Sequence, residues 1–143
     1  MRTMSASILS RATLTLLILA GLGCWQDPVA VIGPENNPRL VNVTDTLSYQ
    51  ADGLENVNQT LTWTWNNTGT TATVTFTEEH LVPHGITQLT VTDANGTVVY
   101  DLNVQLIWNE VQHTDSGAPG PWTVNLGMFG TTGDLDVSLI GTP

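Results

Sequence analysis

A chain of 143 residues with 3 Lys and Arg against 13 Asp and Glu has room for one domain and a formal charge of −10. Lysine is absent, and Arg2 and Arg11 fall at the N-terminus, so the body of the chain keeps Arg39 as its one arginine. Nucleic acid and anionic head groups are bound by clustered cations, which excludes a nucleic-acid partner, and the same shortage speaks against phosphoryl-transfer chemistry. Only 11% of the chain is charged; Thr, Asn and Gly carry much of the remaining polarity, a composition of strands and turns. The single cysteine precludes an internal disulfide.

The chain begins MRTMSASILSRATLTLLILAGLGC. Arg2 and Arg11 form a basic n-region, and residues 12–23 are an uncharged run with Leu14, Leu16, Leu17, Ile18, Leu19 and Leu22. The run is short for a membrane span of about 20 residues and suits a signal h-region of about 7–15. Ala20, Gly21 and Gly23 place small residues directly before Cys24. This segment resembles the lipobox of bacterial lipoproteins over Ala20-Gly21-Leu22-Gly23-Cys24, with Gly21 where the family usually has Leu. The resemblance implies cleavage before Cys24 and a diacylglycerol on its thiol, hence export and a lipid anchor in the cell envelope. Trp25, where Asp would mark inner-membrane retention, points to the outer membrane if the source is Gram-negative.

The expected division is therefore a signal peptide at 1–23, a lipidated cysteine and tether at 24–39, and a folded domain at 40–143. The tether reading rests on Pro28, Pro34 and Pro38 and on the absence of any hydrophobic period. Beyond it, apolar and polar residues alternate with period two. Residues 41–51 carry Leu47 and Tyr49 on one face. Leu61, Trp63 and Trp65 alternate with threonines, as do Ala72, Val74 and Phe76; Asn66-Asn67-Thr68-Gly69 between these runs reads as a hairpin turn. Leu89 and Val91 lead to the turn Asp93-Ala94-Asn95-Gly96, and Val98 to Trp108 alternate after it. Residues 109–121 read as a long polar loop. Trp122, Val124, Leu126 and Met128 form the next run, a Gly130-Thr131-Thr132-Gly133 turn intervenes, and Leu135, Val137 and Leu139 close the chain.

About seven strands at this spacing, with no sustained helical period, predict an all-β fold, a single antiparallel β-sandwich of immunoglobulin-like or jelly-roll type. The expected inward residues are Leu61, Trp63, Trp65, Val74, Phe76, Val91, Tyr100, Leu102, Trp122, Val124, Leu135 and Val137. Asp93, Gly96, Gly120, Trp122, Val124, Gly133 and Leu135 give residues 86–141 a loose resemblance to the jelly-roll accessory domains of secreted proteases, the P-domain and the bacterial pre-peptidase C-terminal domain. That resemblance implies a sandwich with an accessory rather than catalytic role.

Three constellations are chemical candidates. Glu78, Glu79, His80 and His84 put two carboxylates and two imidazoles within seven residues, ligands acceptable to zinc or copper. Pro83 opposes the helix that would align the histidines, so a solvated loop is the alternative. Asp93 and Asn95, with Asp134 and Asp136, are oxygen donors suited to Ca²⁺, or else solvated carboxylates. His113, Asp115 and Ser116 lie in the long loop and offer polar contacts to a protein partner, or belong to a connector. No serine sits in a G-x-S-x-G elbow and Cys24 is consumed by the lipid, so the expected function is a non-catalytic binding or structural module needing no cofactor. Its partners are the membrane, through the lipid, and an envelope protein or glycan. A metal- or calcium-dependent binding module and a hydrolase are the alternatives.

Overall fold

The computed structural model describes residues 30–79, 85–104 and 108–142. The signal-peptide residues, Cys24, His80 and His84 lie outside them, as does the side chain of Glu79. Seven strands are present among the described residues: β1 Arg39–Val43, β2 Thr46–Asn67, β3 Thr71–Glu79, β4 Ile86–Thr92, β5 Val98–Val104, β6 Trp108–His113 and β7 Gly120–Thr142. All strand pairings are antiparallel.

The architecture follows from two long strands. β2 has 22 residues and β7 has 23, and they pair from Thr46↔Ile140 to Asn67↔Gly120. Their two ends acquire different neighbours. The N-terminal half of β2 and the C-terminal half of β7 are flanked by β1 and by β3, which carries β6 on its far side. The C-terminal half of β2 and the N-terminal half of β7 are flanked by β4 and then β5. The ribbon folds over between these halves, where the β2–β7 register shifts between Ala51, Leu54, Val57 and Asn58. Gly53, Asn56, Gly130 and Gly133 take positive φ at this corner, conformations that bend a strand while its ladder continues. The fold brings the strand ends back together: the Asp45 N–H donates to the Asn66 carbonyl at 2.9 Å. The result is a sandwich of sheet I (β1, half of β2, half of β7, β3, β6) on sheet II (the other halves, β4, β5).

Alternation fills the space between the sheets. Leu47, Tyr49, Val74, Phe76, Leu135, Val137 and Leu139 come from sheet I, and Trp65, Leu89, Val91, Trp122, Val124, Leu126 and Met128 from sheet II, all buried. Each such side chain stabilises the fold by about 1.5–3 kcal/mol relative to exposure. Leu61, Trp63 and Leu102 pack against this cluster while half-buried, so every residue expected inward is in or on the core. Trp63 crosses the sandwich to Tyr49, ring centroids 5.0 Å apart.

Several expectations about connectivity need correction. Asn66-Asn67-Thr68-Gly69 is not a hairpin turn, because β2 ends in sheet II and β3 begins in sheet I. Asp45 holds this crossing, its carboxylate accepting from the Thr68 N–H at 2.6 Å and the Thr68 hydroxyl at 2.7 Å. Gly130-Thr131-Thr132-Gly133 is a bend inside β7, not a turn between strands. Residues 109–121 are not one loop: 109–113 belong to β6, paired with β3, and 120–121 to β7. The hairpin predicted at Asp93–Gly96 does join paired strands, β4 and β5.

Of the stretch read as a tether, residues 30–38 lie on the corner. The Ala30 carbonyl accepts from the Asn58 N–H, and the Ile32 N–H donates to Gln59 Oε1. Buried Asn36, in the short 3-10 turn Pro34–Asn36, donates to the carbonyls of Asp52 and Gly53 at 3.1 and 3.0 Å. This lid supplies polar partners to bulged backbone that the ladder leaves open.

Candidate ligand-binding face

The end of the sandwich where β4 turns into β5 is held by Asp93. Its Oδ1 accepts from the backbone N–H groups of Asn95 (3.0 Å) and Thr97 (2.7 Å), and its Oδ2 from that of Ala118 (2.7 Å). The bond from Ala118, then that from Thr97, hold the carboxyl below its ordinary value of 3.8. These bonds fix the turn and pin the 114–119 connection over it. Asp93 is thus a structural anchor, and its lone pairs point at main chain rather than at a cation. Asp93→Asn places an amide N–H against one of these donors, so the variant should have a lower melting temperature at neutral pH. Because the folded pKa is depressed, the carboxylate's contribution is present above 3.8 and lost as pH falls through the lower folded value. The gap between wild type and variant in an acid titration should close accordingly; a gap that persists at the acid end contradicts this role.

The connection itself is stitched down. The Thr114 N–H donates to the Ala72 carbonyl, Asp115 to Val99 and Gly117 to Thr70, while Thr114 Oγ1 accepts from the Ala72 N–H. A Cβ on Gly117 would stand 2.7 Å from Asp93 Cβ, so the segment lies hard against the turn. The backbone of this connection is therefore fixed on both sides. His113, Asp115 and Ser116 do present exposed side chains, with His113 Nδ1 3.3 Å from Thr73 Oγ1.

The other candidates sit towards the corner. Asp134 Oδ1 accepts from the Gly53 N–H at 2.7 Å and Asp136 Oδ2 from Gln50 Nε2. They border a groove of about 220 Å³ shared with Asp52, Thr77 and Leu135. Asp93 and Asn95 are at the opposite end: Thr92 pairs with Thr123 of β7, whereas Asp134 pairs with Glu79. The four oxygen donors are therefore not brought together. Glu78 is not in a solvated loop; it is buried near the end of β3, and Oε1 accepts from the Thr87 hydroxyl at 2.6 Å, which lies 2.9 Å from that of Thr131. Among the described residues no group of three or more His, Cys, Asp or Glu is placed to hold a metal.

The outer faces of the two sheets differ in chemistry. On sheet I, cross-strand rows run Val43, Thr46, Ile140, Thr73, His113 and Val41, Ser48, Ser138, Thr75, Val111. Val41, Val43, Val111 and Ile140 are all exposed there. On sheet II the rows are Asn58, Phe129, Ile86, then Thr60, Gly127, Gln88, Asn103, then Thr62, Asn125, Thr90, Asp101. Phe129 is 51% exposed. Its ring reaches along the strand to Gly127, where an added Cβ would meet Phe129 Cε2 at 2.9 Å. Beyond it the side chains brace one another: Thr62 donates to Asn125 Oδ1 at 2.7 Å, and Gln88 and Thr90 both donate to Asp101 Oδ1, at 3.2 and 3.1 Å. A half-exposed aromatic ring thus stands beside amides and hydroxyls that are hydrogen-bonded to one another. Sequence reasoning missed Phe129, because alternation assigns it outward and gives an outward aromatic no role. The Gly127-x-Phe129 spacing was the available signal.

No family model matches the chain, and no curated protein matches it. Among solved structures, TmCBM61 in complex with β-1,4-galactotriose aligns at TM-score 0.42 and 12% identity, over 73% of this chain and 69% of that one. CsCBM6-3 from Clostridium stercorarium in complex with cellobiose aligns at TM-score 0.40 and 15% identity, over 83% and 91%. The Glycosylation Associate Protein (Gap123) complex from Streptococcus agalactiae aligns at TM-score 0.34 and 10% identity, over 79% of this chain and 42% of that one. The chain is an all-β antiparallel sandwich on its own strand pairings.

Proposed function

We propose that this chain is a non-catalytic binding module of the cell envelope, anchored by a lipid on Cys24 and engaging its ligand with the outer face of sheet II. The observation that carries the binding role is the exposed Phe129 ring beside Gly127, bordered by a braced array of mostly uncharged polar side chains. The carboxylates that looked chemically available support the same reading from the other side. Asp93 commits both oxygens to main-chain donors, and Asp134 and Asp136 each commit one, to Gly53 and Gln50, which is structural work. Anchoring rests on the coincidence of n-region, h-region, small residues and lone cysteine before residue 25.

Expression of the full chain in a lipoprotein-processing bacterium tests both parts. The mature protein should fractionate with membranes and carry diacylglycerol on Cys24 by mass spectrometry, and Cys24→Ala should abolish the modification and leave the chain unprocessed or released. Photo-cross-linking from Thr60 or Asn103 on intact cells should capture envelope material. Cleavage at another position overturns the anchor. A hydrolytic activity abolished by a single substitution overturns the non-catalytic reading.

A further inference from the structure

We infer that the ligand of the sheet II face is an uncharged saccharide chain, with one pyranose ring stacked on Phe129 and its hydroxyls meeting Gln88, Asn103 and Asn125. The inference rests on the binding-face reading above and narrows its chemistry. A pyranose presents an apolar C–H face edged by hydroxyl groups that both donate and accept. An aromatic plane bordered by side chains that also do both is the complementary surface. Phe129 supplies the aromatic ring, and Gly127, which has no Cβ, leaves room for the Cε2–Cζ edge of that ring along the strand. The polar border is preset. Asp101 holds the Gln88 amide nitrogen, which leaves the Gln88 carbonyl oxygen to accept, and Thr62 occupies Asn125 Oδ1, which leaves its amide nitrogen to donate. Side chains already fixed lose less rotamer entropy when a ligand arrives.

Charge selects against the other candidates. The face carries no cation; the one arginine of the described residues, Arg39, is on β1 of the opposite sheet. A phosphorylated or uronic-acid polymer would meet the acidic chain with nothing to neutralise it. Asp101 is the one acid of these rows, with Oδ1 committed to Gln88 and Thr90, so the face offers a single carboxylate and no acidic cluster for a basic protein to seek.

Affinity electrophoresis of the full chain in detergent, through gels containing laminarin, glucomannan, xyloglucan or galactan, provides the test. At least one neutral polymer should retard the protein. Phe129→Ala should weaken that retardation about tenfold or more, as for an aromatic hot spot, while Phe129→Trp should preserve it. Gly127→Ala keeps the aromatic side chain but displaces the ring, and should weaken binding several-fold. Ile140→Ala, on the opposite sheet, should leave it unchanged. Circular dichroism of each variant checks that the fold is intact. Retardation that survives both Phe129→Ala and Gly127→Ala places the site elsewhere and overturns the proposal. Retardation by pectin or alginate alone overturns the uncharged class. If no polymer binds but cross-linking from Thr60 still captures a protein or a second copy of this chain in a Phe129-dependent way, the saccharide inference fails and the binding-face reading stands. Absence of both overturns the two together.

Discussion

Trp122→Ala should destabilise the domain by about 3–5 kcal/mol, the usual cost of emptying a fully buried aromatic site. Trp122 has no exposed surface, and it faces Trp65, its register partner on β2, edge to face with ring centroids 5.8 Å apart and planes at 87°. Each indole also ties the core to a main-chain carbonyl. Trp122 Nε1 donates to Ala118 at 2.7 Å, and Trp65 Nε1 to Val43 of the opposite sheet at 3.2 Å. Alanine at 122 therefore loses the burial, the edge contact and the donor for a carbonyl in the stitched 114–119 segment. Small domains are stable by only about 5–15 kcal/mol, and each kcal/mol moves the melting temperature of a domain this size by about 4–8 °C, so the fall should exceed about 12 °C. Trp122→Phe retains most of the ring and loses the N–H, and should cost markedly less. Urea denaturation measures both. A loss below about 1 kcal/mol for Trp122→Ala would mean that the sheets close over the site, and that Trp65 rather than the pair organises this core.

That pair shows what alternation encodes. Trp65 and Trp122 are 57 positions apart, yet each declares its face through neighbours two residues away, so both were legible as inward. Period-two patterning fixes which side of a sheet a residue occupies because successive side chains point to opposite faces. It does not say which strand lies alongside. For that reason the Asn66–Gly69 connection, which has the residues of a hairpin turn, in fact crosses between sheets, and Gly130–Gly133 proved to be a bend. Turn residues report local backbone freedom, and the same freedom serves a reversal or a corner. The carboxylates were misjudged for a related reason. Asp93 was visible as a turn residue, but its bond to Ala118 spans 25 positions, and Glu78 is buried by Thr87 from the other sheet. No local pattern distinguishes a carboxylate that waits for a cation from one that already has main-chain donors. Phe129 is the converse case, an outward aromatic whose setting exists only once Gly127 leaves room for the edge of its ring.

The corner yields a paired prediction in which φ is nearly constant and the surroundings change. Gly85 and Gly96 have φ of +88° and +85°. At Gly96, in the β4–β5 turn, an added Cβ meets nothing within 4 Å; at Gly85 it would stand 2.3 Å from the Gly130 carbonyl oxygen and 2.7 Å from that of Phe129. Gly96→Ala should therefore cost about 1–2 kcal/mol, the strain of an L side chain in the left-handed region. Gly85→Ala adds an overlap with backbone, and overpacking typically costs about 1–3 kcal/mol more. The contact cannot relax by a rotamer change, because the opposing atoms are main chain of β7 at its bend. Relief requires moving the strand that both sheets share, and with it Phe129, one residue before Gly130. The expected total for Gly85→Ala is about 2–5 kcal/mol, measurable by thermal denaturation alongside Gly96→Ala. Equal losses for the two variants would show that the close approach of Gly85 to Gly130 is not what sets this corner. A larger loss at Gly85 that also weakens ligand binding, beyond what the folded fraction explains, would tie the bend of β7 to the presentation of the ring.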